Sequence, residues 1–274
     1  MLGSYPVACL TMLNIAAPLE SRFGWHGIWG LGIILGSLVL LVALFLIPNN
    51  RPYSESFAAR QNSENIAGQQ IKEKIKLSVV LKAAPLWLVF IAFNCFDIGF
   101  YGLTTYMPTL MVDTLGAPLA TANGVVSLMM VVLIPSSILC GYLLGKVKNR
   151  RFLPAFGLAG LTIVLYGAFN SSSIGMAIAF MLAGGFFTAF IPSSLFTIGA
   201  GTIANPAYIG ICVAITSFGQ NMGVAVGPLY VGTIVENSGN VWTSAAIPSA
   251  IVTLIGAVCC LMIKTKDNEA YNQE

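Results

Sequence analysis

Residues 83–112 read AAPLWLVFIAFNCFDIGFYGLTTYMPTLMV, a run in which Asp97 is the single charge. An α-helix needs about 20 apolar residues to cross the hydrocarbon of a bilayer. The stretch therefore predicts a spanning helix with an acid near its middle. Similar runs recur near 4–19, 27–48, 120–145, 152–169, 174–199, 206–234 and 241–263. The first is the weakest, being short and interrupted by Asn14 and Pro18. A membrane barrel would show alternating polarity in pieces of about ten residues instead. The expected fold class is an all-α integral membrane protein with about eight transmembrane helices.

Composition agrees. Hydrophobic residues are 57% of the 274 and charged residues 8%, against roughly 25% charged in soluble domains. So few charges cannot solvate a globular surface, which excludes a disordered chain, a secreted disulfide scaffold and a nucleic-acid binder. Cys9, Cys95, Cys140, Cys212, Cys259 and Cys260 lie in apolar stretches without metal-ligand spacing, and read as buried thiols acting as small hydrophobes. A lone histidine, His26, makes no metal site, and no cofactor is expected. With no Lys or Arg before the first span and a second span close behind it, a cleaved signal peptide is not expected.

The linker 49–82 carries six basic residues, and 12 of the 13 basic residues fall on one side if the spans alternate, Arg22 being the exception. The positive-inside rule makes that side cytoplasmic, with both termini on it and the plasma (inner) membrane as the location. Ile71 and Ile75 sit one turn apart among lysines. That pattern reads either as an interfacial helix on an anionic surface or as a solvated lead-in to the next span.

Two passages look alike. Ala17-Pro18-Leu19 runs into Gly24-Trp25, and Gly227-Pro228-Leu229 runs into Gly239 and Trp242. Internal symmetry of this kind is common in secondary transporters. With the charged linker and the loop Gly141-Tyr142-Leu143-Leu144-Gly145-Lys146-Val147-Lys148-Asn149-Arg150-Arg151, the chain resembles the major facilitator superfamily from its fifth helix to its twelfth. Gly141, Lys146, Arg150 and Arg151 match that family's loop motif, whereas Gly145 stands where the motif has Asp. The resemblance implies two helices of an incomplete N-terminal bundle (1–48), a cytoplasmic linker (49–82), a six-helix C-terminal bundle (83–263) and a cytoplasmic tail (264–274). The first four helices of the family are absent, and with them most of an N-terminal half that would complete the substrate cavity.

Asp97 carries the most information. An ionised Asp at a helix centre costs about 2.5–3.5 kcal/mol on insertion scales, so such a residue faces a bundle interior or a wet cavity. It reads either as a proton-coupling carboxylate or as a structural acid, hydrogen-bonded or paired with an arginine of the other half. Asn94 and Tyr101 lie three and four residues away, on the same helical face. They are cavity-lining candidates, with helix–helix hydrogen bonding as the alternative. Gln220 and Asn221 are adjacent amides at membrane depth and further solute-contact candidates. Gly219, Gly223 and Gly227 share a face at four-residue spacing and predict a close-packing stripe; Gly141 and Gly145 read the same way. Pro135, Pro192, Pro228 and Pro248 are expected to kink their helices, with hydroxyls such as Ser136, Ser193 and Ser194 meeting the freed carbonyls. Span 152–169, with little beyond Thr162 and Tyr166, is expected to face lipid.

The function expected is secondary active transport of a small polar solute by alternating access, with Asp97 coupling a proton and membrane lipid as surroundings. Ala16-Ala17-Pro18 lacks the glycines that mark the family's drug/proton antiporters, which favours a symport or uniport permease for a small metabolite or anion, although no predicted span carries an Arg or Lys to hold an anion. The alternative is a truncated, non-transporting product or a subunit needing a partner chain. A membrane-embedded enzyme would need clustered acids, His pairs or a nucleophile with a base at membrane depth, so no enzyme is expected.

Overall fold

The computed structural model describes residues 4–46 and 77–263, and every regular element among them is helical. The interfacial segment around Ile71 and Ile75, most of the linker and the tail 264–274 lie outside the described residues. Helices run in the order α1 (Ser4–Phe23), α2 (Trp25–Leu46), α3 (Leu77–Lys82), α4 (Ala84–Leu115), α5 (Leu119–Lys146), α6 (Phe152–Phe169), α7 (Ile174–Thr188), α8 (Pro192–Ala200), α9 (Ile209–Asn237) and α10 (Ala246–Met262), with short 3₁₀ turns before α9 and α10. Among the described residues, seven helical segments are long and apolar enough to cross a membrane, α7 and α8 together counting as one. The weak first span forms α1 but is not among the seven; Asn14, Glu20 and Arg22 lower its apolar character.

Two compact units divide the chain. The smaller, residues 15–76, holds the end of α1 and all of α2, joined at Gly24 with φ +64°. That left-handed backbone suits a residue without Cβ. A Cβ at Gly27 would lie 2.7 Å from Phe23 Cβ, so the two helices pack closely at the turn. His26 is exposed, its ring 3.7 Å from that of Trp25.

In the larger unit α4 is the central helix. Pro85 sits in its first turn, where a fixed φ is pre-organised and no N–H is missed. Gly116, at φ +61°, ends it in the left-handed region. Its buried side chains, among them Phe93, Leu103 and Met107, form one core with Met129 of α5, Leu161 and Leu165 of α6 and Met181 of α7. α4 packs along both α9 and α10. The expected glycine stripe is a packing surface: a Cβ at Gly219, Gly223 or Gly227 would lie 2.7, 2.6 or 2.8 Å from the carbonyl oxygens of Phe90, Asn94 and Ile98. From the other side, a Cβ at Gly102 would meet Val231 of α9 at 2.5 Å.

Several expectations are corrected. Gly141 and Gly145 are open, with nothing among the described residues within 4 Å of an added Cβ, so they do not pack against the described helices. α6 buries most of its length against α7 and α10, leaving Phe156, Ile163 and Tyr166 exposed, rather than facing lipid as a whole. Pro192 does not kink a helix but starts one: the span breaks between Thr188 and Pro192, with Phe190 and Ile191 N–H donating to carbonyls three residues back at 3.2 and 3.1 Å. Pro248 falls in the first turn of α10, where it displaces no helical bond. Near Pro135, Ser137 donates to the Leu133 carbonyl at 2.7 Å. Ser194 instead lies 3.8 Å from Cys140 Sγ. The thiols are buried as expected, Cys9 partly so.

Candidate functional site

Asp97 sits at the middle of α4 and is 1% exposed. The glycine stripe puts it there, since a Cβ at Gly223 would lie 2.7 Å from Asp97 Cβ. α9 thus touches α4 backbone to backbone at the level of the acid. One turn away, Asn94 Nδ2 donates to the Gly219 carbonyl at 3.3 Å and ties the same two helices.

On its other side Asp97 borders a cavity of about 150 Å³ lined from five helices or the breaks between them. α4 contributes Phe96, Asp97, Phe100 and Tyr101; α5 contributes Leu133 and Ser137; α9 contributes Gln220. The rest of the wall is the α7–α8 break, through Thr188, Ala189, Pro192 and Ser193. Helical spans that break at membrane depth border binding sites in many transporters. Two buried oxygens on this wall, Asp97 Oδ2 and Thr188 Oγ1, have no hydrogen-bond partner among the described residues. Buried polar groups are otherwise almost always satisfied. The rings line up beside the acid, Phe96 stacked on Phe100 at 5.5 Å and Tyr101 edge-on to Phe100 at 5.2 Å between centroids.

Of the residues singled out by sequence, Asp97, Tyr101 and Gln220 meet at this cavity, whereas Asn94 and Asn221 do not line it. Asn221 is exposed and donates to the Ser217 carbonyl of its own helix at 2.7 Å. Ser137, Thr188 and Ser193 were not expected as wall residues. The Pro192-Ser193-Ser194 passage was the available signal, and it points to the break rather than to a kink.

The loop motif lies elsewhere. Lys146 Nζ stands 4.4 Å over the Tyr142 ring. Arg151 Nη1 donates to the carbonyls of Leu261 and Ile263 at 3.2 and 3.3 Å, at the C-terminal end of α10. A cation there meets otherwise unsatisfied carbonyls and the negative end of the helix dipole. Arg151→Gln is expected to lower stability by about 1 kcal/mol, read as a lower melting temperature in detergent. An unchanged melting temperature would mean the two contacts contribute nothing.

The architecture is that of a polytopic α-helical membrane protein with an acid-lined cavity inside its bundle. A profile of the Major Facilitator Superfamily matches residues 7–208. The chain belongs to that superfamily. It is 24% identical over 262 residues to the "Putative proline/betaine transporter" of Staphylococcus haemolyticus, covering 93% of this chain and 53% of that protein. Identity to sialin of Ovis aries is 26% over 222 residues, 76% of this chain and 43% of sialin. For the human "Probable small intestine urate exporter" it is 22% over 245 residues, 83% and 48% of the two chains. The chain spans about half the length of these relatives.

Proposed function

We propose that this chain belongs to a secondary transporter that moves a small polar solute by alternating access, coupled to protons through Asp97. The carrying observation is the pairing of a buried, unpartnered carboxylate oxygen with a cavity large enough for a small solute. Tyr101 and Gln220 contact the solute on this reading. Asn94 holds α4 to α9, and Asn221, being exposed, contacts solute only from outside this cavity. The relatives' names, a transporter and an exporter among them, support small-solute transport. Both termini and the loop 146–151 are cytoplasmic, in the plasma membrane, and the described helices correspond to the family's fifth to twelfth. No catalysis is proposed.

Reconstituted protein under an imposed pH gradient tests the reading, through proton movement evoked by candidate solutes; none evoked by any solute would remove it. Thr188→Val is expected to raise the half-saturating solute concentration about tenfold, one lost hydrogen bond in a dry site being worth about 1–1.5 kcal/mol. Stability should hold, because the Thr188 hydroxyl bonds nothing in the bundle. An unchanged half-saturating concentration would take Thr188 out of the solute's reach.

A second reading, a non-transporting product or a subunit completed by another polypeptide, is favoured by the half-length coverage of the relatives. The mass of the natural protein in its membrane separates the two. A species well above 29.0 kDa supports the C-terminal portion of an ordinary transporter. One at that mass supports the partner-dependent or inactive form.

A further inference from the structure

We infer that the ligand of this cavity is a small organic cation or zwitterion whose ammonium group sits at Asp97, an assignment that rests on the transport reading above. Among the described residues, Asp97 is the only side chain of a charged type on the wall, and no Lys, Arg or His lines it. An anion entering would meet no positive partner on the wall that the described residues build, in a setting where unscreened charge interactions are strongest. The hydrogen-bonding sense points the same way. Ser137 has already given its proton to the Leu133 carbonyl, so it offers the cavity only lone pairs. Beside it stands Asp97 Oδ2, which has no hydrogen-bond partner among the described residues and, when ionised, only accepts. The Thr188 hydroxyl, also without a partner among them, can both accept and donate, which suits a zwitterion as well as a cation.

The remaining wall is carbon. Phe96, Phe100 and Tyr101 pack ring against ring next to the carboxylate, and aromatic rings attract ammonium groups within about 6 Å. A bare metal ion would need a shell of about six oxygens, which a wall holding Leu133, Ala189 and Pro192 does not suit. The volume of about 150 Å³ is that of a cavity able to take up benzene, about six heavy atoms, room for a small organic solute. Among the described residues, Tyr101 is the one other titratable group on the wall, and no charged side chain of α5, α7, α8 or α9 lines it. A proton and an ammonium group therefore compete for the same carboxylate and occupy it in turn. Occupancy in turn is the signature of exchange, and departs from the symport or uniport that Ala16-Ala17-Pro18 favours.

Isothermal titration of the purified full chain with four compounds of one shape tests the assignment. Choline is the cation, glycine betaine the zwitterion, 3,3-dimethylbutanol the neutral isostere and 3,3-dimethylbutanoate the anion. An ammonium compound is expected to bind at least tenfold more tightly than the neutral and anionic isosteres, and more weakly as pH falls. Choline ahead of betaine identifies a cation site, and the reverse a zwitterion site. Asp97→Asn should lose at least tenfold in ammonium affinity, and Asp97→Glu, which keeps the charge, should retain most of it. Equal binding of the isosteres, no ammonium binding by folded protein, or indifference to Asp97→Asn would each overturn the assignment. Failures of the two readings are distinguishable. Asp97-dependent, proton-driven uptake of a solute without an ammonium group removes the ligand class and keeps transport. Asp97-dependent ammonium binding without any uptake does the reverse.

Discussion

Asp97→Asn is expected to remove pH-driven transport while leaving the bundle folded. Asparagine has nearly the same shape and keeps a polar group on the cavity, but it cannot take up and release a proton. The Asp97 Oδ2 atom has no hydrogen-bond partner in the bundle, so the exchange breaks no bond there. Packing around the site is set by Gly223 against Asp97 Cβ, an atom the substitution keeps. One pH unit is worth about 1.4 kcal/mol, or about tenfold in concentration, to a carrier that couples one proton. Vesicles holding the native protein under such a gradient should therefore build a solute gradient approaching that factor, and vesicles with the variant should build none. Equilibration down the solute's own gradient needs no proton, so net accumulation is the quantity to follow. Accumulation undiminished in the variant would remove Asp97 from coupling. A variant that fails to fold would show it first in its helical circular dichroism, and Asp97→Glu then reads the same question with the acid retained.

Gly223→Val should be the most damaging packing change in the larger unit. The added side chain starts 2.6 Å from the Asn94 carbonyl oxygen and 2.7 Å from Asp97 Cβ. Backbone cannot move aside as a side-chain tip does, so α4 and α9 must separate. Overpacking costs typically about 1–3 kcal/mol, and the upper end applies where opposing backbone is the obstacle. Separation would also lengthen the 3.3 Å bond from Asn94 to the Gly219 carbonyl and shift Asp97, so solute binding should fall with stability. The matched control is Gly145→Val, since nothing lies within 4 Å of that position; it should leave melting in detergent nearly unchanged. Equal melting temperatures for the two variants would show that the close approach of α4 and α9 is unimportant.

Much of the fold was legible in the chain itself. Hydrocarbon leaves every backbone N–H and C=O to be satisfied within the segment, so long apolar runs could only be helices. The same physics made Asp97 conspicuous, because a single acid in such a run must have a reason to be there. The stripe Gly219, Gly223 and Gly227 was readable too, since four-residue spacing puts all three on one face.

What sequence could not decide is which polar residues meet. Gln220 and Asn221 are neighbours in the chain, but successive residues on a helix point about 100° apart; one lines the cavity and the other is exposed. Gly141 and Gly145 have the same spacing as the packing stripe, yet none of the described helices lies against them. Lipid tails are as apolar as leucine, so composition did not reveal that α6 is mostly buried by its neighbours. The wall formed by Ser137, Thr188 and Ser193 comes from separate helices, and no local pattern joins them. The sequence by itself determined that this chain spans the membrane as helices and carries an acid at mid-span, because both follow from the cost of polarity in hydrocarbon. Only the tertiary structure decided what surrounds that acid, because the rotation and contact of each helix are set by packing against the others.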